Sequence, residues 1–341
     1  MMKINFDKDL VTLSHGSGGR ASSALIEQLF LKNFDNQWLN QKNDQAIFDV
    51  AKGRMVISTD SHVISPLFFP GGDIGSLSVH GTVNDVAMSG AKPLYLSASF
   101  ILEEGFPLRD LKRIVESMAL AAKHAGVVIV TGDTKVVERG HGDGVYITTT
   151  GIGVVPEGIN ISGDRARPGD HVIVSGDIGD HGIAVLSCRE GLKFHSKLQS
   201  DSAALNDLVA DMVKAVPDIH CLRDPTRGGV ATILNEFAQQ SNVGFLIDEN
   251  HLPIRDEVKG ACELLGLEPL YIVNEGKLIA ICSAKDSEKL LKVMRAHSLG
   301  KNAAIIGEVI EDKRHLVQLK TAFGGKRVLH VLTGDQLPRI C

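Results

Sequence analysis

The chain has 341 residues, of which 43% are hydrophobic and 23% charged, with a net charge of −5. This length predicts two domains, because a single core rarely grows beyond about 250–300 residues. The sequence contains neither a basic stripe nor an apolar run of signal-peptide or membrane-spanning length. We therefore expect a cytoplasmic protein that binds neither nucleic acid nor membranes.

Apolar spacing predicts alternating helices and strands in the first half of the chain. The clearest helix is amphipathic, opens at Pro107 and closes at Gly126, as a helix start and a C-cap should. The predicted elements are a helix at 22–31, strands at 45–50 and 54–59, a turn at "FFPGGDIG", a helix "SLSVHGTVNDVAMSG" ending at Gly90, a strand "LYLSASFIL", the helix between Pro107 and Gly126, and strands at 127–131 and 145–155.

The stretch "PEGINISGDRARPGD" is rich in Gly and Pro and indicates a domain junction. After it the order of elements restarts, which predicts a second α+β half of similar size. Its predicted elements are a strand at 171–175, helices at about 180–190, 201–215 and 226–240, a strand at 243–248, a helix at 256–265, a strand at 277–282, a helix at 286–297, and strands at 303–310 and 315–320. We therefore divide the chain into domains at 1–158 and 159–327, followed by a mobile tail at 328–341.

Acidic residues recur at strand ends and in loops beside glycine or other small residues. Carboxylates are hard oxygen ligands that suit Mg²⁺ when the ion also contacts phosphates. Each carboxylate alone could instead cap a helix or a turn. The recurrence favours a metal site formed by Asp44, Asp60, Asp85, Asp133 and Asp224.

Two glycine-rich stretches precede predicted helices. Exposed backbone N–H groups at such a start form an anion site. The first stretch, "HGSGGR", offers Gly16, Gly18 and Gly19, and the second, "DPTRGGV", adds Arg227. These residues, with Asp60, Asp85 and Asp133, are the predicted nucleotide-binding set.

The sequence ends in "QLPRIC", so its last residue is the thiol Cys341. The chain has five cysteines and no C-x-x-C pair, which argues against a disulfide framework or a structural zinc site. Cys262 and Cys282 lie in apolar runs and are expected to be buried. A terminal thiol on a tail could be delivered to a reaction site.

Five stretches together resemble one family. They are "FFPGGDIGSLSVHGTVNDVAMSGAKP", "TGDTKVVERG", "RDPTRGGV", "NEGKL" and the terminal "PRIC". The match runs from about residue 13 to the end and is similar to the HypE family of hydrogenase maturation proteins, in the superfamily of aminoimidazole ribonucleotide synthetase and selenophosphate synthetase. The stretch "NDQA" departs from the pattern at Asp44, where relatives often carry paired aspartates.

The resemblance implies an ATP- and Mg²⁺-dependent enzyme. In the family the terminal thiol, here Cys341, receives a carbamoyl group from HypF, and the enzyme dehydrates it to a thiocyanate. The cyanide then passes to iron on a HypC–HypD complex, for the NiFe hydrogenase centre. Family motifs place Lys135, His141 and Glu275 around the thiocarbamate, with Glu275 as the preferred base.

The resemblance also implies a fold. The first domain, 1–158, would bind ATP and form a homodimer through a β-barrel-like interface, with the ATP cleft nearby. The second, 159–327, would be an α/β sandwich-type domain. Two alternative functions stay open: an ATP-dependent small-molecule kinase or synthetase of the same superfamily, which would not need Cys341, and a non-catalytic thiol carrier, which would not need the aspartates.

Overall fold

The structure of the chain is a computed structural model that describes residues 3–43, 45–49, 53–189, 198–332 and 340. The first half contains four helices and six strands within the described residues. The helices are α1 (Arg20–Leu25), α2 (Leu31–Phe34), α3 (Ile74–Ala87) and α4 (Leu108–Ala125), and a π-helical turn at Ile26–Phe30 joins the first two. The strands are β1 (Arg54–His62), β2 (Phe68–Phe69), β3 (Gly72–Asp73), β4 (Lys92–Glu103), β5 (Val128–Val137) and β6 (Val145–Val155).

Four of these strands form a sheet in the order β1-β6-β4-β5. One face carries the alternate residues Leu96, Ala98 and Phe100 of β4, which are buried in the first domain's core, and α3 and α4 contribute to the same core. Ile57 of β1 lies on the opposite face and is 69% exposed. Successive residues of these strands therefore point alternately to a packed face and to an open face of the sheet.

The second half contains five helices and seven strands within the described residues. The helices are α5 (Asp180–Leu186), α6 (Asn206–Ala215), α7 (Gly229–Ser241), α8 (Asp256–Leu265) and α9 (Ala284–Ala296). The strands are β7 (Asp170–Val174), β8 (Ile219–Arg223), β9 (Gly244–Asp248), β10 (Ile279–Ser283), β11 (Ala304–Ile310), β12 (Val317–Lys320) and β13 (Lys326–Val328).

These seven strands form one sheet in the order β13-β12-β9-β11-β7-β10-β8, with only β9 and β12 parallel. Both of its faces are covered by helices. Ile173 belongs to the apolar cluster that contains α6 and α9, whereas its neighbours Val172 and Val174 belong to the cluster that contains α7. The described residues thus form a mixed α/β fold of two domains, each built on one large sheet, with the small β2–β3 sheet in the first half.

The sequence predicted most elements but misplaced several. Residues 45–49 are not a strand, and the "FFPGGDIG" turn is the hairpin of β2 and β3. The helix predicted at 201–215 starts only at Asn206, and β8 and β13 were not predicted. The first sheet is open, and no closed barrel is found within the described residues. Across those residues, no helix combines the length and apolar character needed to cross a membrane.

Candidate active site

Four carboxylates meet where the two domains face each other. Asp60 lies on β1 and Asp85 on α3, whereas Asp224 follows β8 and Glu275 precedes β10. Each is close enough to the others to change their pKa values: Asp60, Asp85 and Asp224 all raise the pKa of Glu275. The structure therefore brings together three of the predicted metal ligands and the predicted base.

A glycine on α3 lets β1 approach this helix. A Cβ atom at Gly81 would lie 2.9 Å from Nε2 of His62 and 3.1 Å from Oδ2 of Asp60. His62 Nε2 and Asp60 Oδ2 are themselves 3.2 Å apart. Burial opposes ionisation of Asp60, but the hydrogen bond and charge of His62 keep its pKa below the ordinary value, with help from Arg227. The ionised form of Asp60 is therefore favoured.

The pKa values of Asp85 and Asp224 are shifted in the opposite direction. Burial raises the pKa of Asp85, and the hydroxyl of Ser58, which donates to Oδ2 at 2.8 Å, offsets only part of the effect. Burial and the neighbouring Asp85 raise the pKa of Asp224 to about 7. Two carboxyl groups that repel each other in a buried place form an environment that favours a positive charge.

Glu275 is the most strongly perturbed of the four. Its side chain is 3% exposed, and Oε1 has no hydrogen-bond partner within the described part of the chain. Burial, followed by the charges of Asp224 and Asp201, raises its pKa well above the ordinary value. A buried carboxyl group without a partner costs folding free energy, and such groups concentrate at functional sites.

The sequence analysis missed Asp201, because the segment that carries it was predicted to be helical. Residues 198–205 instead have no regular secondary structure and run between the domains. Ser200 N–H donates to Pro70 O at 2.8 Å, and Leu205 N–H donates to Asn84 Oδ1 at 2.7 Å. The aspartate itself accepts from Glu275 N–H at 3.1 Å and from Lys277 Nζ at 3.0 Å.

Asp201 therefore orients the Glu275 loop. Its side chain is 2% exposed, and burial would raise its pKa, yet Lys277 and the Glu275 N–H together hold the pKa below the ordinary value. A sequence signal existed, since "SDSAAL" lacks helical apolar spacing over its first five residues. We expect Asp201 to stay ionised and to fix the backbone of Glu275.

The glycine-rich loop forms a second group of predicted site residues, separate from the carboxylates. Gly16, Gly18, Asp133 and Lys135 line a cavity of about 260 Å³ that continues into the apolar core around Phe30. The loop fits closely against β5, because a Cβ atom at Gly16 would lie 2.7 Å from Val136 N. Gly18 has φ +77°, a left-handed conformation that favours glycine.

The two locations lie at opposite edges of the first sheet, since Asp60 is on β1 and Asp133 on β5. Lys135 contacts Asp133, with Nζ 3.0 Å from Oδ2, and its side chain is 65% exposed. His141 is 71% exposed and lies 4.0 Å from Glu138. Within one chain, the described residues therefore do not bring Lys135 or His141 to Glu275.

The remaining predicted residues divide in the same way. Arg227 lowers the pKa of Asp60 and so belongs with the carboxylates, and Gly19 directly precedes α1 beside the glycine-loop cavity. Asp44 and Cys341 lie outside the described residues. Three other cysteines are buried, and burial raises the pKa of Cys221 and Cys282 to about 12 and that of Cys262 to about 11.

The described residues contain no group of three His, Cys, Asp or Glu side chains already arranged as a metal site. The donor set nevertheless suits Mg²⁺, which commonly takes one or two carboxylates and completes its shell with phosphates and water. Repulsion among the half-buried Asp85 and the buried Asp224 and Glu275 also favours a cation. The residues therefore fit a cation that binds together with a phosphate ligand.

This repulsion predicts a stability change for Asp224→Asn. The raised pKa means that the folded state holds a proton that the unfolded chain releases, so wild-type stability falls as pH rises from about 4 to 7. The variant should not lose this stability, so we expect its free energy of unfolding at pH 7 to exceed that of the wild type by roughly 1 to 4 kcal/mol. Thermal unfolding without ligands should show a melting temperature that increasingly exceeds the wild-type value up to pH 7. A difference in melting temperature that does not change with pH would contradict the raised pKa of Asp224.

Comparisons with known proteins match both halves of the chain. Residues 42–155 match the AIR synthase related protein, N-terminal domain, and residues 167–320 match the AIR synthase related protein, C-terminal domain. Carbamoyl dehydratase HypE of Cupriavidus necator is 64% identical over 339 residues, covering 99% of this chain and 97% of the relative.

Solved structures agree with these sequence matches. The hydrogenase maturation protein HypE in complex with ATP superposes with a TM-score of 0.93 at 52% identity, covering 96% of this chain and 99% of that one. A HypE–HypF complex has a TM-score of 0.80 at 50% identity, covering 91% of this chain and 100% of that one.

Proposed function

This chain belongs to the HypE family of carbamoyl dehydratases, and on that premise we propose that it uses ATP to dehydrate a carbamoyl group on the Cys341 thiol to a thiocyanate. The product supplies cyanide for the iron of NiFe hydrogenase during its maturation. The similarity extends over the whole chain. It therefore includes both the carboxylate group and the C-terminal residues.

One structural observation most directly supports a reaction of the chain on its own Cys341. Ile340, next to Cys341 in the chain, is 1% exposed and belongs to the apolar cluster of the first domain. Its carbonyl accepts a hydrogen bond of 2.8 Å from His181 Nε2. His181 Nδ1 in turn lies 2.8 Å from Oγ of Ser200, the chain neighbour of Asp201, which binds the Glu275 loop. The end of the chain is thus connected to the candidate active site.

The reaction must remove one oxygen from the carbamoyl carbon and two protons from its nitrogen. The amide oxygen is a poor leaving group until the γ-phosphoryl group of ATP is transferred to it. The nitrogen protons need a base, and the carbon–oxygen bond breaks as the carbon–nitrogen triple bond forms. The products are the thiocyanate, ADP and phosphate.

We assign proton removal to Glu275. In the absence of ligands its raised pKa keeps it protonated, and the same raised pKa makes its ionised form a stronger base than an exposed glutamate. Asp201 fixes its backbone, which limits the directions that the side chain can take. Lys135 and His141 keep their predicted roles near the thiocarbamate, and the dimer described below offers a route for them to reach it.

We assign Mg²⁺ to Asp60, Asp85 and Asp224, with Asp44 and Asp133 as further predicted ligands. When bound, the ion would supply the positive charge that offsets carboxylate repulsion and phosphate charge. Gly16, Gly18, Gly19 and Arg227 are proposed to hold the phosphates through backbone N–H groups and a guanidinium group. The Asp224→Asn variant should accordingly gain less thermal stabilisation from Mg²⁺ and ATP than the wild type.

We propose that two copies of the chain pair through the open face of the first sheet. The glycine-loop cavity is at the β5 edge and the carboxylates are at the β1 edge, with two strands between them. Neighbouring strands lie about 4.8 Å apart, so the two edges are separated by roughly 14 Å. Face-to-face pairing into a barrel-like dimer would place the β5 edge of one copy beside the β1 edge of the other and complete the ATP cleft.

Ile57→Lys should dissociate this dimer. The side chain is 69% exposed on the open face, so lysine is tolerated by a single chain but would place a charge inside an apolar interface. We expect a monomer by sedimentation velocity and a large loss of ATP-dependent dehydration. Leu264→Lys on α8, where the leucine is 73% exposed, is the matched control and should stay dimeric. An Ile57→Lys protein that remains dimeric would show that the dimer does not form through this face.

We propose HypF as the carbamoyl donor and a HypC–HypD complex as the cyanide acceptor. The solved HypE–HypF complex, whose matched chain covers 91% of this chain, supports the first partner. For the second, the chemistry requires an acceptor that receives cyanide from the Cys341 thiol. We also propose the domain limits 1–158 and 159–327 with a tail at 328–341.

Two alternatives are separable by one assay. A small-molecule kinase or synthetase would hydrolyse ATP equally well without Cys341, and a thiol carrier would not hydrolyse ATP at all. We expect hydrolysis coupled to carbamoylated Cys341, and therefore lost in Cys341→Ala.

A further inference from the structure

His181 is a buried histidine that the reaction chemistry does not use. It lies on α5, is 0% exposed, and contacts the Phe69 ring edge-on with centroids 5.4 Å apart. Its two ring nitrogens have different partners: Nε2 is 2.8 Å from Ile340 O, and Nδ1 is 2.8 Å from Ser200 Oγ. The ring therefore links the end of the chain to the segment that carries Asp201.

These partners fix the tautomer of the ring. A carbonyl oxygen only accepts, so Nε2 must carry the proton and donate to Ile340. Nδ1 of a neutral ring then accepts from the Ser200 hydroxyl, and that hydroxyl in turn accepts from Ser202 N–H at 3.0 Å. Burial, which lowers the pKa of His181, keeps the ring neutral. Every polar atom in this chain of contacts is satisfied in one arrangement only.

The tail is fixed to the protein at two points within the described residues. The first is at Leu329 and His330, whose carbonyls accept from Asn235 Nδ2 at 3.0 Å and Tyr271 Oη at 2.7 Å. The second is at Ile340, whose side chain belongs to the same apolar cluster as Phe69. The first contact belongs to the second domain's core, whereas the second contact is made between the domains.

We propose that His181, oriented by Ser200, is a positioning residue that binds the backbone of the penultimate residue and so places the loaded Cys341 for dehydration. The pocket around Ile340 would select a branched aliphatic side chain at this position. Because the contact is with a backbone carbonyl, binding by His181 does not depend on what the thiol carries. This inference rests on the proposed function only for its catalytic consequence.

The test measures docking of the tail without any carbamoylation. The full-length protein is treated with iodoacetamide, and alkylation of Cys341 is followed by mass spectrometry of the C-terminal peptide. Loss of one buried hydrogen bond weakens docking by about tenfold. We therefore expect His181→Leu to raise the alkylation rate by about tenfold, and His181→Gln, whose amide can still donate, to stay near the wild-type rate.

Two further variants keep the test decisive. Ile340→Gly removes the apolar side chain that the tail contributes to the first domain's cluster, and burial of such a side chain predicts a rise in alkylation of about tenfold or more. His171→Leu is the matched control, because His171 Nδ1 also contacts a serine hydroxyl, that of Ser287 at 2.9 Å, but not the tail. Its alkylation rate should equal that of the wild type.

The outcomes separate this inference from the proposed function. Unchanged alkylation in a folded His181→Leu protein and in Ile340→Gly would overturn the positioning role, even if dehydration is observed. Equal acceleration in His181→Gln and His181→Leu would also contradict it, because a donor alone should suffice. Altered alkylation together with no dehydration in the wild type would support docking and remove the proposed reaction.

Discussion

Glu275→Gln is expected to accept the carbamoyl group from HypF at the wild-type rate but to dehydrate it about 10²–10⁴-fold more slowly, the usual contribution of a general base. Loading takes place on the partner, where Glu275 is not required. Dehydration requires proton removal here, and a glutamine cannot accept a proton. Mass spectrometry of the C-terminal peptide should show an intermediate stalled at the thiocarbamate.

The control for this variant is Glu263→Gln on α8, where the side chain is exposed. It should load and dehydrate normally. Stability gives a second check, because the amide removes a buried carboxyl that has no partner for Oε1 within the described residues. The variant should therefore be at least as stable as the wild type. A Glu275→Gln protein that forms thiocyanate at the normal rate would remove Glu275 from the base role.

Appending three residues after Cys341 is expected to reduce thiocyanate formation by at least about 100-fold. Ile340 is already 1% exposed, so residues added beyond Cys341 would have to enter a buried place. Each would bring backbone N–H and C=O groups that cost about 1–3 kcal/mol when left without partners. The extended protein should still fold, because the added residues follow the last strand, which ends at Val328.

The comparison is with a protein that carries the same three residues before residue 1. That protein should dehydrate at the wild-type rate. A thiol carrier with an exposed docking surface would tolerate both extensions. Equal rates of thiocyanate formation in the two proteins would therefore show that the tail does not enter a closed site.

The sequence predicted correctly those elements whose structure depends mainly on residues close together in the chain. The helix from Leu108 to Ala125 has its apolar residues at helical spacing and ends at Gly126, which adopts the left-handed φ +69° expected of a glycine C-cap. Residues 256–265 form a helix with the predicted bounds. Cys262 and Cys282 are buried as their apolar surroundings indicated.

Sequence patterns failed where contacts between distant segments determine the structure. Residues 201–205 lie outside the helix and are held by contacts with Asn84 and with the Glu275 loop, which are far away in the chain. These contacts place Asp201 in the candidate site. The edge strand β13 is only three residues long, too short for an alternating pattern to be recognised.

The candidate site shows the same division. Motifs predicted that Asp60, Asp85 and Asp224 act together, and the structure places them around one point between the domains. Spacing could not show that Asp133 and Lys135 lie at the other edge of the sheet, because strand order is a property of the fold. Nor could it show the contact of His181 with Ile340, which are 159 residues apart.

The central claim is that this chain dehydrates a carbamoyl group on its own terminal thiol. The most direct test incubates the wild type with HypF, carbamoyl phosphate, ATP and Mg²⁺, and then measures the mass of the C-terminal peptide. The account predicts a carbamoyl adduct on Cys341 that becomes lighter by one water molecule only when ATP can still be hydrolysed by this chain. A carbamoyl adduct on the exposed Cys188, or one on Cys341 that keeps its mass with ATP present, would contradict the account.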